Sequence, residues 1–404
     1  MRPHLRTPAR ASAYILVCFL VVATTFAMGY VTRAVNAPAI RDAPQFAVFW
    51  EAWNLVDQNF YGNKPDETTR AHGAIKGSLS TLDDPYTVFV EPRQRDREQE
   101  ELRGSFGGIG VMVGRTSDGR IILTPVADRP AAKAGILAGD ELIAVDGLSI
   151  TAETPFDDVL AAVRGKVGTA VQLTVRRQGS SQPLTIEVRR AEIVTPSVSW
   201  ELEAPDVGYV KLSIFNERTN DELKQAIQEL HKQGATSFVI DLRNNGGGLL
   251  SAAIDVASQF LEDGVVMYER KSNGTEKAYP VRDSGALLED PIAALMNSGT
   301  ASASEIVAGA IQDHRRGSLI GTKTFGKASV QLLFDLSDGS SLHVTNAHWL
   351  TPDRHEIHGV GLTPDIEVEI TDQDRQDQRD TQRERAVAYL RQQRQATPMS
   401  STGN

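Results

Sequence analysis

An α/β (α+β) protein of several domains is what this sequence predicts, on three observations. From Pro196 onward, short apolar runs alternate with amphipathic stretches, the order that builds a sheet flanked by helices. Before it, residues 104–193 hold several short strand-like runs among glycine turns and one helix-like stretch, the layout of a small β-rich domain. Finally, 404 residues, 41% hydrophobic and 23% charged, are long for one domain and allow two or three.

Charge and cysteine usage narrow the classes. A formal net charge of −10 argues against a nucleic-acid partner, since neutralising phosphates takes clustered lysine and arginine. The single cysteine, Cys18, excludes an internal disulfide framework. It lies in Ala11 to Val31, a run without a charged side chain, preceded by Arg2, Arg6 and Arg10 and followed closely only by Arg33. About twenty apolar residues span a bilayer, and the arginine bias puts the N-terminus in the cytoplasm. The run outlasts a usual signal-peptide core and no A-x-A site ends it, which favours an anchor over a cleaved signal. The expected location is therefore a bacterial inner membrane, crossed once through residues 1–36, with the body in the periplasm or outside the cell.

Between the anchor and residue 103 the chain reads as helical. Phe46, Phe49, Trp50, Trp53, Leu55, Val56 and Phe60 recur at helical spacing, predicting a helix that packs on the body or on a partner subunit and inviting a homodimer. His72 to Leu82 continues in that manner and stops at LDDPYT, Leu82 to Thr87. Arg93 to Arg103 is a highly charged run, a solvated helix or linker. In 104–193 strands are expected at Arg120 to Thr124, Glu141 to Val145, Ala170 to Arg176 and Leu184 to Arg189, with a helix at Phe156 to Val163. Gly108-x-Gly110 makes a weak phosphate loop, because no strand precedes it and no helix follows, so no cofactor is implied.

Residues 194–371 carry the chemistry. Strands are expected at Val207 to Leu212, Ser237 to Leu242 and Ile292 to Met296, and helices at Asn220 to Gln233 and Glu305 to Gln312. Val330 to Leu336 and Ser341 to Ala347 flank a turn and predict a hairpin. Ser302 then sits at a strand-to-helix turn, beside free amides and the positive end of a helix dipole. Lys327 follows in a glycine-bearing loop, flanked by Phe325, Gly326 and Ala328. A serine needs a base to take its proton, and a lysine serves if burial depresses its pKa. Gln331 is placed to orient that amine. Ser302 with Glu305 also fits a capping box, and on local pattern alone both readings stand. Gly246 to Gly248 likewise suit either a plain turn or a set of amides aimed at an oxyanion. From Thr371 the tail, 372–404, is polar, with a helix expected at Arg385 to Gln393 and disorder at the end.

These motifs together resemble the carboxy-terminal processing peptidases, or tail-specific proteases, which are Ser-Lys enzymes. The resemblance rests on TASASEI, GTKTFGKASVQ, DLRNNGGGLL, LDDPYT and GVGLTPDIEV, and covers Leu82 to Val368 in motif order. It implies a crotonase-like ββα peptidase core, with Ser302 as nucleophile, Lys327 as base and Gln331 beside it. It also implies an oxyanion hole from Gly247 or Gly248 with the Ala303 amide, the choice of glycine left open. Ala328 stands where the family usually has glycine, and Gly246 where it often has proline. Residues 104–193 resemble a PDZ domain inserted before that core. By that likeness Gly107, Gly108, Ile109 and Gly110 hold a peptide's terminal carboxylate, while Ile109, Val111 and the Phe156 to Val163 helix line a pocket for the last side chain. The same fold would also serve as a mere spacer or regulator.

Three functions compete on this reading. The first is an envelope endopeptidase acting on proteins with exposed C-termini, with an adaptor or regulatory protein as a further partner class. The second is a tethered, inert PDZ scaffold. The third is a histidine-based hydrolase using His343, His348, His355 or His358, against which no G-x-S-x-G surrounds Ser302. His355 and His358 lack H-E-x-x-H spacing, so no metal is expected.

Overall fold

The computed structural model describes residues 44–283 and 285–396. The expected membrane span, Ala11 to Val31, and the chain end expected to be disordered lie outside them. Among the described residues no helix is long and apolar enough to cross a membrane. The location inferred from that span, a single pass through an inner membrane, is accordingly corrected and withdrawn.

The chain divides after Gly73. In the first unit Pro44–Asn59 is a helix, as the aromatic spacing predicts. Phe46, Val48, Trp50, Leu55 and Val56 remain exposed on it. Trp53 is covered instead, by the Arg70 guanidinium 5.1 Å from its ring centroid, and Asp57 pairs with Arg70 and Lys64.

In the second unit strand β1 (Val88–Val90) leads into the helix Pro92–Arg103. That helix is polar but for Pro92 and Leu102 and has no buried residue; ion pairs tie it down. Arg93 meets Asp158 at 2.6 Å, Arg97 meets Asp157 at 3.2 Å, and Glu100 meets Arg164 at 3.0 Å. Next come β2 (Ser105–Gly108), β3 (Val111–Arg115), β4 (Ile121–Pro125), β5 (Asp140–Val145), β6 (Leu148–Ser149), β7 (Ala170–Arg176), β8 (Leu184–Arg189) and β9 (Ala191–Val194). Strands β3-β4-β5-β7-β8 form one antiparallel sheet, β6 pairs with β5, and β2 with β9 makes a separate ribbon. Val159 and Val163 of the helix Phe156–Val163 pack with Ile109, Leu123, Leu142 and Leu173 in this segment's own core.

The larger core follows. β10 (Val198–Ala204), β11 (Val207–Leu212), β12 (Ser237–Asp241), β15 (Ile292–Met296), β16 (Gly317–Gly321) and β19 (Ile366–Glu367) form a sheet that is parallel from β11 onward. Parallel strands are covered on both faces, which is why SFVID and IAALM bury every residue instead of alternating. On one face lies the helix Ala303–Asp313, buried from Ala303 to Ile311, beside Thr219–Lys232 and Leu250–Ala257. A second, antiparallel sheet joins β1, β13 (Val265–Lys271), β14 (Glu276–Pro280), β17 (Ser329–Asp335) and β18 (Ser341–Leu350).

The other face of the parallel sheet is covered by the helix Thr381–Ala396, longer at both ends than the sequence suggests. Its apolar contacts with the sheet come from Ala386, Val387, Tyr389 and Leu390, and Arg383 lies over the Tyr209 ring, so most of the helix reads as a polar tail. Leu390 is fully buried there against Val207, Val239 and Ile320. Leu390→Ala is expected to lower stability by about 2–5 kcal/mol in chemical denaturation; an unchanged midpoint would mean that the helix does not cover this face.

Candidate active site

Ser302 occupies the turn between β15 and the helix Ala303–Asp313 with φ 55° and ψ −118°, a conformation that L side chains rarely adopt. Such strain costs on the order of 1–3 kcal/mol and persists only where neighbours over-determine it. Those neighbours are identifiable. Asn297 and Asn244 exchange hydrogen bonds, the Asn244 amide donating to Asn297 Oδ1 and Asn297 Nδ2 to Asn244 Oδ1, each at 3.0 Å. The fully buried Asn245 accepts the Ala301 amide and the Ser304 hydroxyl on its carbonyl at 3.0 and 2.8 Å. Thr300 Oγ1 donates to the Leu242 carbonyl at 2.8 Å. The DLRNN loop and the serine turn are thus one hydrogen-bonded unit.

Glu305 joins this unit to the lysine loop. Its carboxylate is completely buried. Oε2 accepts the amides of Ser302 and Lys327, both at 2.9 Å, and Oε1 accepts the Gly326 amide at 2.7 Å and Thr324 Oγ1 at 2.5 Å. The capping box is thus present, and the carboxylate that closes it on Ser302 also takes the Lys327 amide. The GVGLTPD segment supports the loop from behind. Gly359 donates to the Gly326 carbonyl at 2.8 Å and Leu362 to Thr324 Oγ1 at 2.7 Å. Gly326 has φ +89°, and a Cβ on it would stand 2.7 Å from the Gly361 nitrogen, so no larger residue fits.

Lys327 is half-buried, and burial pushes its pKa below the ordinary lysine value, partly opposed by the negative charge of Asp84. Its apolar cover differs from the one expected. Phe325 is exposed, and the amine lies over the ring of Tyr86, 4.9 Å from its centroid. Gln331 does not use its amide nitrogen on this amine; Nε2 donates to Ser329 Oγ at 2.8 Å. Tyr86, Asp84 and Glu305 are the site residues that local pattern missed, although LDDPYT and the capping box had marked all three.

The glycine loop lies against the serine. A Cβ on Gly247 would be 2.9 Å from Ser302 Cβ and 3.1 Å from the Ala303 nitrogen. The Gly247 amide itself donates to Asn245 Oδ1 at 2.9 Å, so this glycine's donor is engaged within the loop. Ala303 opens its helix, and its amide is not used by the helical ladder. A hydroxyl on a strained turn, an amine whose pKa burial lowers and backbone amides free to donate are the kinds of group that acyl transfer uses.

In the β-rich segment, Gly107 and Gly108 fall within β2 and pair with Glu192 and Ala191 of β9. Ile109 is 1% exposed and belongs to the core, which removes it from the pocket lining expected for it. Gly110 and Val111 remain at the head of β3, whose one ladder partner in its sheet is β4. The free side of β3 is the edge a peptide strand would extend. Of the histidines, His343 faces Glu98 at 3.5 Å and His355 faces Asp313 at 3.6 Å, while His348 stacks on His358, which meets the Tyr86 ring edge-on.

Comparison with known proteins gives the same two modules. The family model for Peptidase family S41 matches residues 206–368 and that for the PDZ domain matches residues 107–188. The chain is 38% identical over 331 residues to the carboxy-terminal-processing protease of Bartonella bacilliformis, covering 80% of this chain and 75% of that one. It is 34% identical over 375 residues to the carboxyl-terminal-processing protease of Synechocystis, covering 87% of each. Among solved structures, the photosystem II D1 C-terminal processing protease aligns with 31% identity and a TM-score of 0.47, over 81% of this chain and 94% of that one.

Replacing the Glu305 carboxylate by an amide puts a donor where donors already point. Glu305→Gln is expected to destabilise the fold by about 3 kcal/mol or more, since each buried group left unpaired costs roughly 1–3 kcal/mol. Urea unfolding of the variant measures this, and a wild-type midpoint would contradict the strut.

Proposed function

The chain belongs to the carboxy-terminal-processing proteases of peptidase family S41, and from that premise we propose that Ser302 is its nucleophile and Lys327 its base. It is a serine-type peptidase that processes the C-terminal ends of protein substrates. The observation that carries the assignment of residues is the buried Glu305 carboxylate, which takes the amides of Ser302 and Lys327 on a single oxygen and so binds the two loops together.

The chemistry follows from those groups. Lys327 in its neutral form accepts the Ser302 Oγ proton as the oxygen bonds to the scissile carbonyl carbon. The carbonyl oxygen becomes an oxyanion, supported by the Ala303 amide and, since Gly247 donates to Asn245, by Gly248. Collapse breaks the C–N bond, and the Lys327 ammonium returns its proton to the departing amine. Water then attacks the acyl-serine ester with the same amine as base, releasing the new carboxylate and restoring Ser302. Gln331 stays adjacent in sequence to this machinery, acting through Ser329.

The PDZ segment supplies recognition on this reading. Gly110 and Val111 lie at the start of an open strand edge, where a substrate's C-terminal residues add as a further strand beside the helix Phe156–Val163. The exposed aromatic face of Pro44–Asn59 is the surface best suited to a homodimer or an adaptor. An inert scaffold is the weaker reading, because it has no use for a lysine held below its ordinary pKa in a loop tied to a strained serine through one carboxylate.

Ser302→Ala and Lys327→Ala are each expected to reduce peptide cleavage by about 10³-fold or more without loss of folding, as for groups that act as one unit. Turnover retained by Lys327→Ala would remove the lysine from the mechanism. Because the amine must be neutral to act and burial lowers its pKa, kcat/KM should rise with pH and level off below the ordinary lysine pKa of about 10.4. A rate limb that climbs unabated to that pH would show an unperturbed lysine.

A further inference from the structure

We propose that Tyr86 is a positioning residue of the peptidase site: its ring face seats the Lys327 amine and supports the ammonium that forms when Ser302 gives up its proton. The inference rests on the assignment of Lys327 as base and adds a residue that the assignment does not contain.

Three sets of contacts hold the ring. The Lys327 Nζ lies 4.9 Å from the ring centroid, within the range of a cation–π contact. Asp84 Oδ1 accepts the Tyr86 amide at 3.0 Å while Oδ2 accepts Thr87 Oγ1 at 2.6 Å, so the Leu82 to Thr87 turn is tied to itself. Thr87 Oγ1 in turn accepts the Thr345 amide at 3.1 Å, and β1 pairs with β18, which anchors the turn on the second sheet. His358 also meets the ring edge-on at 6.0 Å and is stacked on His348 at 4.4 Å.

The choice of a ring suits the task. A carboxylate in direct contact with Lys327 would hold it protonated at rest and leave it unable to accept a proton. A ring face attracts the cation more weakly than a full negative charge does, and most of the benefit appears only once the charge has formed. The other charged and titratable groups around the pair are already committed. Asp84 is occupied by the turn, and Glu305 takes the Lys327 amide instead of its amine. His348 has its pKa lowered by burial and by His358, so it adds no charge above neutral pH.

The test is to titrate the Lys327 amine by NMR in the full chain labelled with 15N-lysine, in a Ser302→Ala background and above pH 7. Tyr86→Leu keeps an apolar cover but removes the quadrupole, and the midpoint should fall by about half to one pH unit. Tyr86→Phe should restore the parent midpoint, and Tyr86→Trp, with the stronger ring, should raise it. In the active enzyme the acid limb of kcat/KM should move down with Tyr86→Leu, with the loss falling on kcat and not on KM. A midpoint unmoved by Leu, or displaced by Phe as far as by Leu, would overturn the proposal; if Leu does not fold, failure of Trp to raise the midpoint does so. Turnover retained by Lys327→Ala would defeat the assignment of the base alone, since the midpoints report the ring–amine contact independently.

Discussion

One buried carboxylate holds the site together. Glu305 is removed from water entirely, and its charge is met by three amides, one hydroxyl and the positive end of its own helix. An isolated buried carboxylate would be prohibitively costly, and hydrogen bonds to both oxygens are what make it tolerable. The consequence is geometric. The serine turn, the lysine loop and the Thr324 hydroxyl converge on one group two atoms wide, so none of them can shift without leaving a buried donor or acceptor unpaired.

The same arrangement solves an electrostatic difficulty. A proton-accepting lysine needs low polarity around it, yet a stable loop near a helix start favours nearby negative charge. Here the negative charge is spent on backbone amides, and the amine is left over an aromatic ring. Desolvation then outweighs the pull of Asp84, and the lysine pKa falls. Strain at Ser302 belongs to the same design: the asparagine bonds across the DLRNN loop hold a backbone conformation that would relax if released.

Much of this was legible in the sequence because the relevant signals were local. The parallel strands β11, β12 and β15, the Phe156 to Val163 helix and the β17–β18 hairpin follow from runs of apolar residues and turn chemistry, and their bounds agree with the structure to within a residue or two at most ends, whereas β16 and β19 were not expected. Residues whose role depends on contacts distant in sequence were not legible. Glu305 looks like an ordinary capping residue until Gly326 and Lys327 are seen to bond to it. Tyr86 looks like part of a helix stop until the chain brings Lys327 over its face. Phe325 shows the reverse case, since adjacency suggested apolar cover and the side chain turned to solvent. Ile109 was misread because a glycine-flanked isoleucine can point into a pocket or into a core, and the alternation of one short strand cannot decide which. The covering helix Thr381–Ala396 was underestimated because only one narrow stripe of it is apolar.

The two modules are joined on very different terms from those that hold the catalytic loops. The polar helix Pro92–Arg103 meets the helix Phe156–Val163 and the following Arg164 through three ion pairs with largely solvent-exposed partners. Exposed pairs of this kind contribute about 0–1 kcal/mol each and are screened by salt. The bonds around Glu305 are buried, and removing any one of them strands a polar group out of reach of water. Breaking these ion pairs between the PDZ segment and this helix is therefore far less costly than disturbing the serine and lysine loops. The chain concentrates its buried hydrogen bonds on the serine and lysine loops and leaves screened, exposed ion pairs between the helix Pro92–Arg103 and the PDZ segment.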